Sequence, residues 1–559
     1  MIEVLKFGSS VLRSSDDLPV AVDEIYRRWR AGYRVLAVVS AFEGVTDRLL
    51  REVAAAVGND SDEATASYVA TGEQRTAALL VGALHQHGMP ARIVDAREIG
   101  LAAAGTTLDS VPTGVNAAAI ERHWQDHDIL VLPGFYGVDP EGRIALFGRG
   151  GSDLSALFLA AALRAECRLL KDVAGVFEAD PAAHPDARRY ATLSWQSAIR
   201  MAGPLIQPKA LELARQLGLS FEVGRPSESV CTKVGLAEDV LASVLPSSPP
   251  LRVALVGCGT VGRGVYERLK RYPQGFVVGH VIVRELSRHR DVPEATVDPA
   301  AAAGDAIDVL VICGGDASFA YSLAEGALRA GKFVVTANKA MVAAHGASLQ
   351  TFLQDGRLRC SAAVGGAVPV LETLARVRER VREIRGIINS TSSVILDEIA
   401  RGSSLPDAIA TARARGYAEE NPTRDLSGED SADKLAIAIG TAFGEWIDPA
   451  RIPTRGVNGI HGGHDRHRLI ATATATATGT ATAAKGRIAA RVEPEAQRPA
   501  SYLGAARGPE NRVEIELASG EVIRLRGQGA GRWPTTASVI ADLQEVARSG
   551  VRPPSTSAA

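Results

Sequence analysis

Residues Leu251 to Leu269 read LRVALVGCGTVGRGVYERL, and this stretch decides how the second half of the chain is interpreted. An apolar run ends at Gly257, and an amphipathic stretch begins after Gly259. That order predicts a buried strand, a tight turn and a helix. In Gly257-Cys258-Gly259-Thr260-Val261-Gly262 the glycines permit the turn and a close approach of backbone to a pyrophosphate, which then rests on the helix N-terminus. A lone GxGxxG is weak, but strand and helix on either side strengthen it. The next apolar run closes on VIVRELSRHR, residues 281–290. A site selective for NAD usually carries a carboxylate at that strand end. Arg284 stands there instead, and a guanidinium pairs with a 2′-phosphate, so NADP is favoured over NAD.

Working outward, VALVG, VVGHVIV, DVLVICGG and KFVVTANK repeat the strand-like pattern between helical stretches. The first 228 residues do the same with RVLAVVS, DILVLPGFYG and SFEVG around LSALFLAAALR. Such alternation predicts an α/β protein of parallel sheets flanked by helices. At 559 residues the chain exceeds one core, and about three or four domains are expected. Pro246-Ser-Ser-Pro-Pro250 reads as a boundary. Ala471 to Ala484 is almost pure Ala-Thr alternation, ATATATATGTATAA, which suits a strand with a flexible extension. A formal net charge of −2 excludes polyanion binding as the main task. Five scattered cysteines without CxxC spacing suggest reduced thiols of a cytoplasmic protein. MIEVLKFGSS lacks the pattern of a secretory signal, and no apolar stretch reaches the roughly 18 residues that span a bilayer.

Four blocks follow the glycine turn: TANKA (336–340), AAVGGAVPV (362–370), GYAEENPTRDLSGEDSADKLAI (416–437) and GQGAGRWPTTASVIADL (527–543). Alone, Asp430 and Lys434 would be an i,i+4 pair on a helix surface. The order and spacing of the blocks resemble homoserine dehydrogenase over about residues 251–545. The resemblance implies that Lys434 and Lys339 lie at the reacting oxygen and cofactor, that Glu419 holds the substrate amino group, and that Asp425 and Asp430 lie beside it. Gly531 joins the cofactor residues, and Na⁺ or K⁺ is implied at the backbone of Val364 and Ala367. Ser361 replaces the family's glutamate there, and Asn389-Ser-Thr-Ser-Ser393 replaces its N-G-T-T-N turn. Burial in a closed cleft is expected to depress a lysine pKa for proton transfer.

The N-terminal half carries KFGSS (6–10), SAFEGVT (40–46), ATGEQ (70–74), LPGFYG (132–137), FGRGGSD (147–153) and KDVAGVFEADP (171–181). A cation beside flexible backbone N–H groups suits polyphosphate. In this order the motifs resemble aspartate kinase of the amino-acid kinase family over about residues 1–225. The substrate that resemblance implies, a dicarboxylate with an ammonium, needs a guanidinium, hydroxyls and one carboxylate, for which Arg149, Ser40, Ser152 and Glu73 are candidates. The resemblance implies that Lys6 neutralises the transferred phosphate, Asp153 organises transfer, and Asp172 and Asp180 lie in the nucleotide site, with ATP and Mg²⁺ as the co-substrate. Ser9, Lys171, Pro204 and Gln207 depart from the family pattern, and Lys171 or Lys209 can replace a lost lysine.

Together the resemblances imply an αβα sandwich (1–228), a linker (229–250), a Rossmann domain (251–372), an α+β catalytic and dimerisation domain (373–526), a segment returning to the nucleotide domain (527–545) and a flexible tail (546–559). About 25 residues separate SFEVG from LRVALVG, too few for a paired regulatory module there. The implied functions are ATP-dependent phosphorylation of aspartate and NADP-dependent interconversion of aspartate semialdehyde and homoserine, with small molecules as partners, neither nucleic acid nor membrane, in a homo-oligomer (dimer or tetramer). The second reading keeps the dehydrogenase and makes the first half a non-catalytic or differently specific module. If Arg284 reads the 2′-phosphate, steady-state kinetics will favour NADPH over NADH and Arg284→Ala will erase the preference; equal efficiencies in the wild type would refute it.

Overall fold

The computed structural model describes residues 1–58, 61–201, 203, 205–243, 249–304, 306–460, 466–476 and 487–549. The chain divides into two compact units, residues 1–86 with 90–247, and residues 248–559 with 87–89.

The first unit is built on a nine-stranded sheet. At its centre Ile2–Phe7 lies between Glu166–Leu170 and Arg34–Val39, all parallel. Val35 to Val39 are fully buried in sequence, as strands covered on both faces require. The helix Gly151–Leu163 packs against this centre. A smaller sheet of four strands, from Ala102 to Leu146, completes the unit. The expected linker at 229–250 is corrected here. Cys231–Gly235 pairs with Phe221–Gly224 and with Tyr190–Ser194, and Val240–Leu241 pairs with Tyr190–Ser194. The reason is burial: Thr232 and Val234 are fully enclosed, so this stretch belongs to the sheet. Pro246 and Pro204 lie outside the described residues.

The second unit opens with a six-stranded parallel sheet, in the order Ala295–Thr296, Phe276–Ile282, Leu251–Val256, Val309–Ile312, Phe333–Thr336, Leu358–Arg359. This is the doubly wound order, with the first strand central and the chain reversing direction beside it. Period-two alternation sorts the first strand. Leu251, Val253 and Leu255 enter one core with Val265 and Leu269, whereas Ala254 and Val256 enter the other. The C-terminal helix Arg532–Arg548 returns to the first of these cores through Val539, Ile540, Leu543 and Val546. It continues beyond residue 545, so the expected tail loses its first three residues to the helix. A five-stranded antiparallel sheet follows the nucleotide sheet, in the order Arg487–Gln497, Arg466–Thr476, Val381–Ile387, Glu510–Leu517, Val522–Gln528. The first Ala-Thr residues complete the strand Arg466–Thr476; residues 477–486 lie outside the described residues.

The glycine turn is sterically closed. Gly257 has φ +85°, and a Cβ on Gly262 would stand 1.9 Å from the Gly257 carbonyl oxygen. Gly262→Ala should therefore cost on the order of 1–3 kcal/mol of stability, read as a lower melting temperature together with weakened NADPH binding. Unchanged melting and binding would show that the turn tolerates a side chain.

Candidate active sites

In the second unit, the crevice between the strands ending at Val256 and Ile312 is where chain direction reverses. Gly257 and Gly314 meet there: a Cβ on Gly257 would lie 2.9 Å from the Gly314 Cα. The helix Thr260–Leu269 starts at once, and its N-cap, Gly259, has no side chain to satisfy the first N–H groups. They stay available to an anion. Val261 packs partly into the core behind them. Gly264 faces Thr536 so closely that a Cβ would meet the hydroxyl at 2.4 Å. This sets the first turns of Arg532–Arg548, with Gly531 at its N-cap, against the pyrophosphate helix. Arg284 is exposed just past the strand Phe276–Ile282 and has no hydrogen-bond or ion-pair partner among the described residues. Its neighbour Glu285 takes Arg288 at 2.8 Å, so Arg284 is not tied to that carboxylate.

From the glycine turn the contacts continue to the ionisable cluster. Asn338 caps the helix Lys339–Gln354 through its Oδ1, while its Nδ2 donates to the Gly315 carbonyl at 3.0 Å. Lys339 then reaches Asp430 Oδ1 at 2.9 Å, and Lys434 reaches Asp430 Oδ2 at 2.7 Å. Asp430 lies in the first turn of Glu429–Phe443, where the helix dipole favours a carboxylate. Although burial opposes its charge, the two ammonium groups hold its pKa far below the usual carboxylate range. Lys434 also donates to the Ile388 carbonyl at 2.8 Å. The i,i+4 pair is thus buried, with side-chain exposures of 11% and 7%, and is no surface pair. The expected depression of a lysine pKa is corrected for Lys339. Burial works against its charge, but Asp430 beside it raises the pKa above the ordinary value.

Asn389, which sequence reasoning passed over except as a departure from a turn, donates from Nδ2 to Asp425 at 2.6 Å and to Asp430 at 2.8 Å. Burial and the nearby Asp430 charge raise the Asp425 pKa. Glu419 stays exposed in the loop before Thr423–Ser427, and its side chain has no partner among the described residues. Near the Val364 to Ala367 backbone, Ser361 places its N–H and its hydroxyl on the buried Asp542, at 3.0 and 2.8 Å. The carboxylate that meets Ser361 comes from the helix Arg532–Arg548.

In the first unit, the site gathers at the C-terminal ends of the central strands. Lys6 reaches Asp153 Oδ1 at 2.7 Å and Lys171 reaches Oδ2 at 2.9 Å, all three side chains buried. Burial and the second cation bring the Lys6 pKa down to about 8 despite the pull of Asp153. Asp153 itself is held below its ordinary value by the two lysines, against the effect of burial. Ser152 and Asp153 occupy the first turn of Gly151–Leu163, and Gly150 before them has φ +76°. Ser40 follows the neighbouring strand and donates its N–H to the Phe7 carbonyl. Glu73 is 2% exposed; Oε1 accepts from the Ala41 N–H at 3.1 Å, whereas Oε2 has no hydrogen-bond partner among the described residues. Burial pushes its pKa up to about 7. Arg149 is exposed and unpaired among the described residues. Asp172 and Asp180 are exposed on the segment after Leu170; Asp180 caps a local turn at Ala182. They do not join the lysine cluster. Of the two candidate replacement lysines, Lys171 lies in the cluster, and Lys209 is occupied with Asp109 and the carbonyls of Ser110 and Phe147.

Residues 257–358 match the NAD-binding domain of homoserine dehydrogenase, and residues 369–544 match homoserine dehydrogenase itself. The homoserine dehydrogenase of Corynebacterium glutamicum is 31% identical over 321 residues, covering 54% of this chain and 72% of that protein. The chain belongs to the homoserine dehydrogenase family. Residues 1–220 match the amino acid kinase family. An aspartokinase of Bacillus sp. strain MGA3 is 31% identical over 224 residues, 39% of this chain and 54% of that protein, so the chain spans about half of that relative. A homoserine dehydrogenase structure from Thiobacillus denitrificans is 30% identical, covers 54% of this chain and 73% of that one, and has a TM-score of 0.49. The family member described here is therefore an enzyme that joins an amino acid kinase domain to a homoserine dehydrogenase unit and binds a nicotinamide cofactor in the latter. No helix among the described residues is long and apolar enough to cross a membrane.

Proposed function

We propose that the second unit interconverts aspartate semialdehyde and homoserine with NADP, and that the first phosphorylates the side-chain carboxylate of aspartate with ATP. The observation that carries the dehydrogenase reading is the unbroken run from Gly257 through Gly314, Gly315, Asn338 and Lys339 to Asp430 and Lys434. It joins a pyrophosphate turn to a pair of lysines. The nicotinamide, when bound, supplies or accepts the hydride. Gly257, Gly259, Thr260 and Gly262 would hold its pyrophosphate, and Arg284 its 2′-phosphate. Lys434 spends two of its three N–H directions on Asp430 and Ile388, leaving one for the substrate oxygen, where it gives or takes the proton. Lys339 remains charged and stabilises negative charge on that oxygen. Glu419 takes the substrate ammonium.

For the kinase, Lys6 and Lys171 present two cations against one carboxylate, a net charge suited to phosphate. The unpartnered Glu73 Oε2 suits an ammonium and Arg149 a carboxylate. Mg²⁺ would arrive with the nucleotide, sharing its phosphate oxygens. A monovalent cation at the Val364 and Ala367 carbonyls, a cytoplasmic location and a homo-oligomer complete the proposal.

Lys434→Ala should cut homoserine oxidation by about 10²–10⁴-fold while NADPH binding persists; near-normal turnover would remove Lys434 from the reacting oxygen. For the first unit, ADP release should depend on aspartate and not on glutamate, and Lys171→Met should reduce it about 10²-fold or more. A wild-type protein that oxidises homoserine but releases no ADP would make the first unit a non-catalytic module.

A further inference from the structure

We propose that Asn389 is a positioning residue for the dehydrogenase reaction, its amide spacing Asp425 from Asp430 and thereby fixing where Lys339 and Lys434 stand. It deepens the reading above and rests on the assignment of those lysines to the reacting oxygen.

Asn389 is 3% exposed and follows the strand Val381–Ile387, at the N-cap of the helix Ser390–Ala400. Every polar atom of its side chain is used. Oδ1 accepts from the Ser392 N–H at 2.7 Å, and the two Nδ2 hydrogens go to Asp425 Oδ1 at 2.6 Å and Asp430 Oδ2 at 2.8 Å. Its backbone carbonyl accepts from the hydroxyls of Ser392 and Ser393, so the residue is held at both ends. The cap also fixes the amide's orientation. Turning it over would break the bond to Ser392 and aim an oxygen at two carboxylates.

A helix cap alone does not need asparagine. Serine or aspartate would accept the Ser392 N–H as well. Neither can cap and at the same time donate to two anions, which is the combination present here. The two carboxylates repel one another, and a donor shared between them favours their ionised forms. Among the described residues Asp430 is in turn the one bonded to both Lys339 and Lys434. The charged groups facing this pair come from three helices: Lys339 from one, Asp430, Asp433 and Lys434 from the second, and Arg424, which holds Asp433 at 2.6 Å, from the third. Among these groups Asn389 is the neutral one, so its loss changes carboxylate spacing without removing a charge.

The test uses the full-length protein with Asn389→Ser and Asn389→Asp, both of which keep a capping oxygen. The expected result is a fall in kcat for homoserine oxidation of about 10²-fold, as a displaced reacting group produces. NADPH affinity should be retained in both variants and the melting temperature in Asn389→Ser, whereas Asn389→Asp, which sets a third buried carboxylate against two others, should melt lower. Loss of the donated bonds raises the Asp425 pKa, so the acid limb of the kcat/KM profile should move to higher pH in both variants, farther in Asn389→Asp, which adds a third carboxylate. Wild-type kcat and an unmoved acid limb in both variants would overturn the proposal. A reduced kcat with an unmoved limb and a lowered melting temperature in Asn389→Ser would also overturn it, leaving Asn389 as a helix cap. Lys434→Ala, measured in parallel, separates the two levels: if it keeps its turnover, the lysine assignment fails by itself, whatever the Asn389 variants show.

Discussion

A buried carboxylate between two ammonium groups is the interaction on which each unit of this chain is arranged. In the first unit Asp153 lies between Lys6 and Lys171; in the second Asp430 lies between Lys339 and Lys434. Taking such charges out of water is costly, and the attraction repays that cost only when the remaining donors and acceptors are satisfied. Two cations on one anion leave a surplus positive charge. A phosphate oxygen or the oxygen of a reacting carbonyl can use that surplus. Removal of the aspartate would leave two like charges side by side, both of them buried in the first unit.

The two sites reach this arrangement by the same local device. Each aspartate falls in the first turn of a helix, and each helix starts after a glycine in the left-handed region, Gly150 at φ +76° and Gly428 at φ +88°. Neither glycine offers a side-chain cap, so the first-turn carboxylate meets the positive end of the helix directly. The lysines come from elsewhere in the chain. In the first unit both belong to strand ends, at Lys6 and just after Leu170. In the second, one opens the helix after Thr336 and the other lies one turn beyond Asp430.

The supporting residues differ. Asn389 donates to Asp430 and the Ile388 carbonyl accepts from Lys434, and the cluster connects to the nucleotide turn through Asn338 and Gly315. Around Asp153 the nearby groups are open: Glu73 keeps one unpartnered oxygen, and Arg149 is exposed. An enclosed carboxylate with a raised pKa and a free oxygen suits a site that gains its charge partner only with substrate. Lys171, just past the strand Glu166–Leu170, brings a second ammonium to Asp153 beside that of Lys6.

Much of this protein is determined by local sequence. Continuous apolar runs such as VALV and VLAVV define central strands because burial on both faces admits only apolar residues. The glycine turn at 257–262 is legible because only glycine fits a Cβ-free contact of 1.9 Å. Asp430 and Lys434 are one helical turn apart, so their pairing is local too. Tertiary structure decided the rest. CTKVG looked like linker because five residues are too short a signal, and only pairing with Phe221–Gly224 makes it a strand. Lys171 and Lys209 were equivalent as residues; a parallel strand register put the first on Asp153, whereas the fold gave the second to Asp109. Asn389 carries no sequence signal beyond its place in the turn Asn389–Ser393, since its two acceptors lie 36 and 41 positions away. The Lys339 pKa likewise followed from a partner 91 positions distant rather than from burial. Periodicity reports what a residue's neighbours in the chain require, while the partner of a buried charge is chosen by whichever element the fold brings beside it.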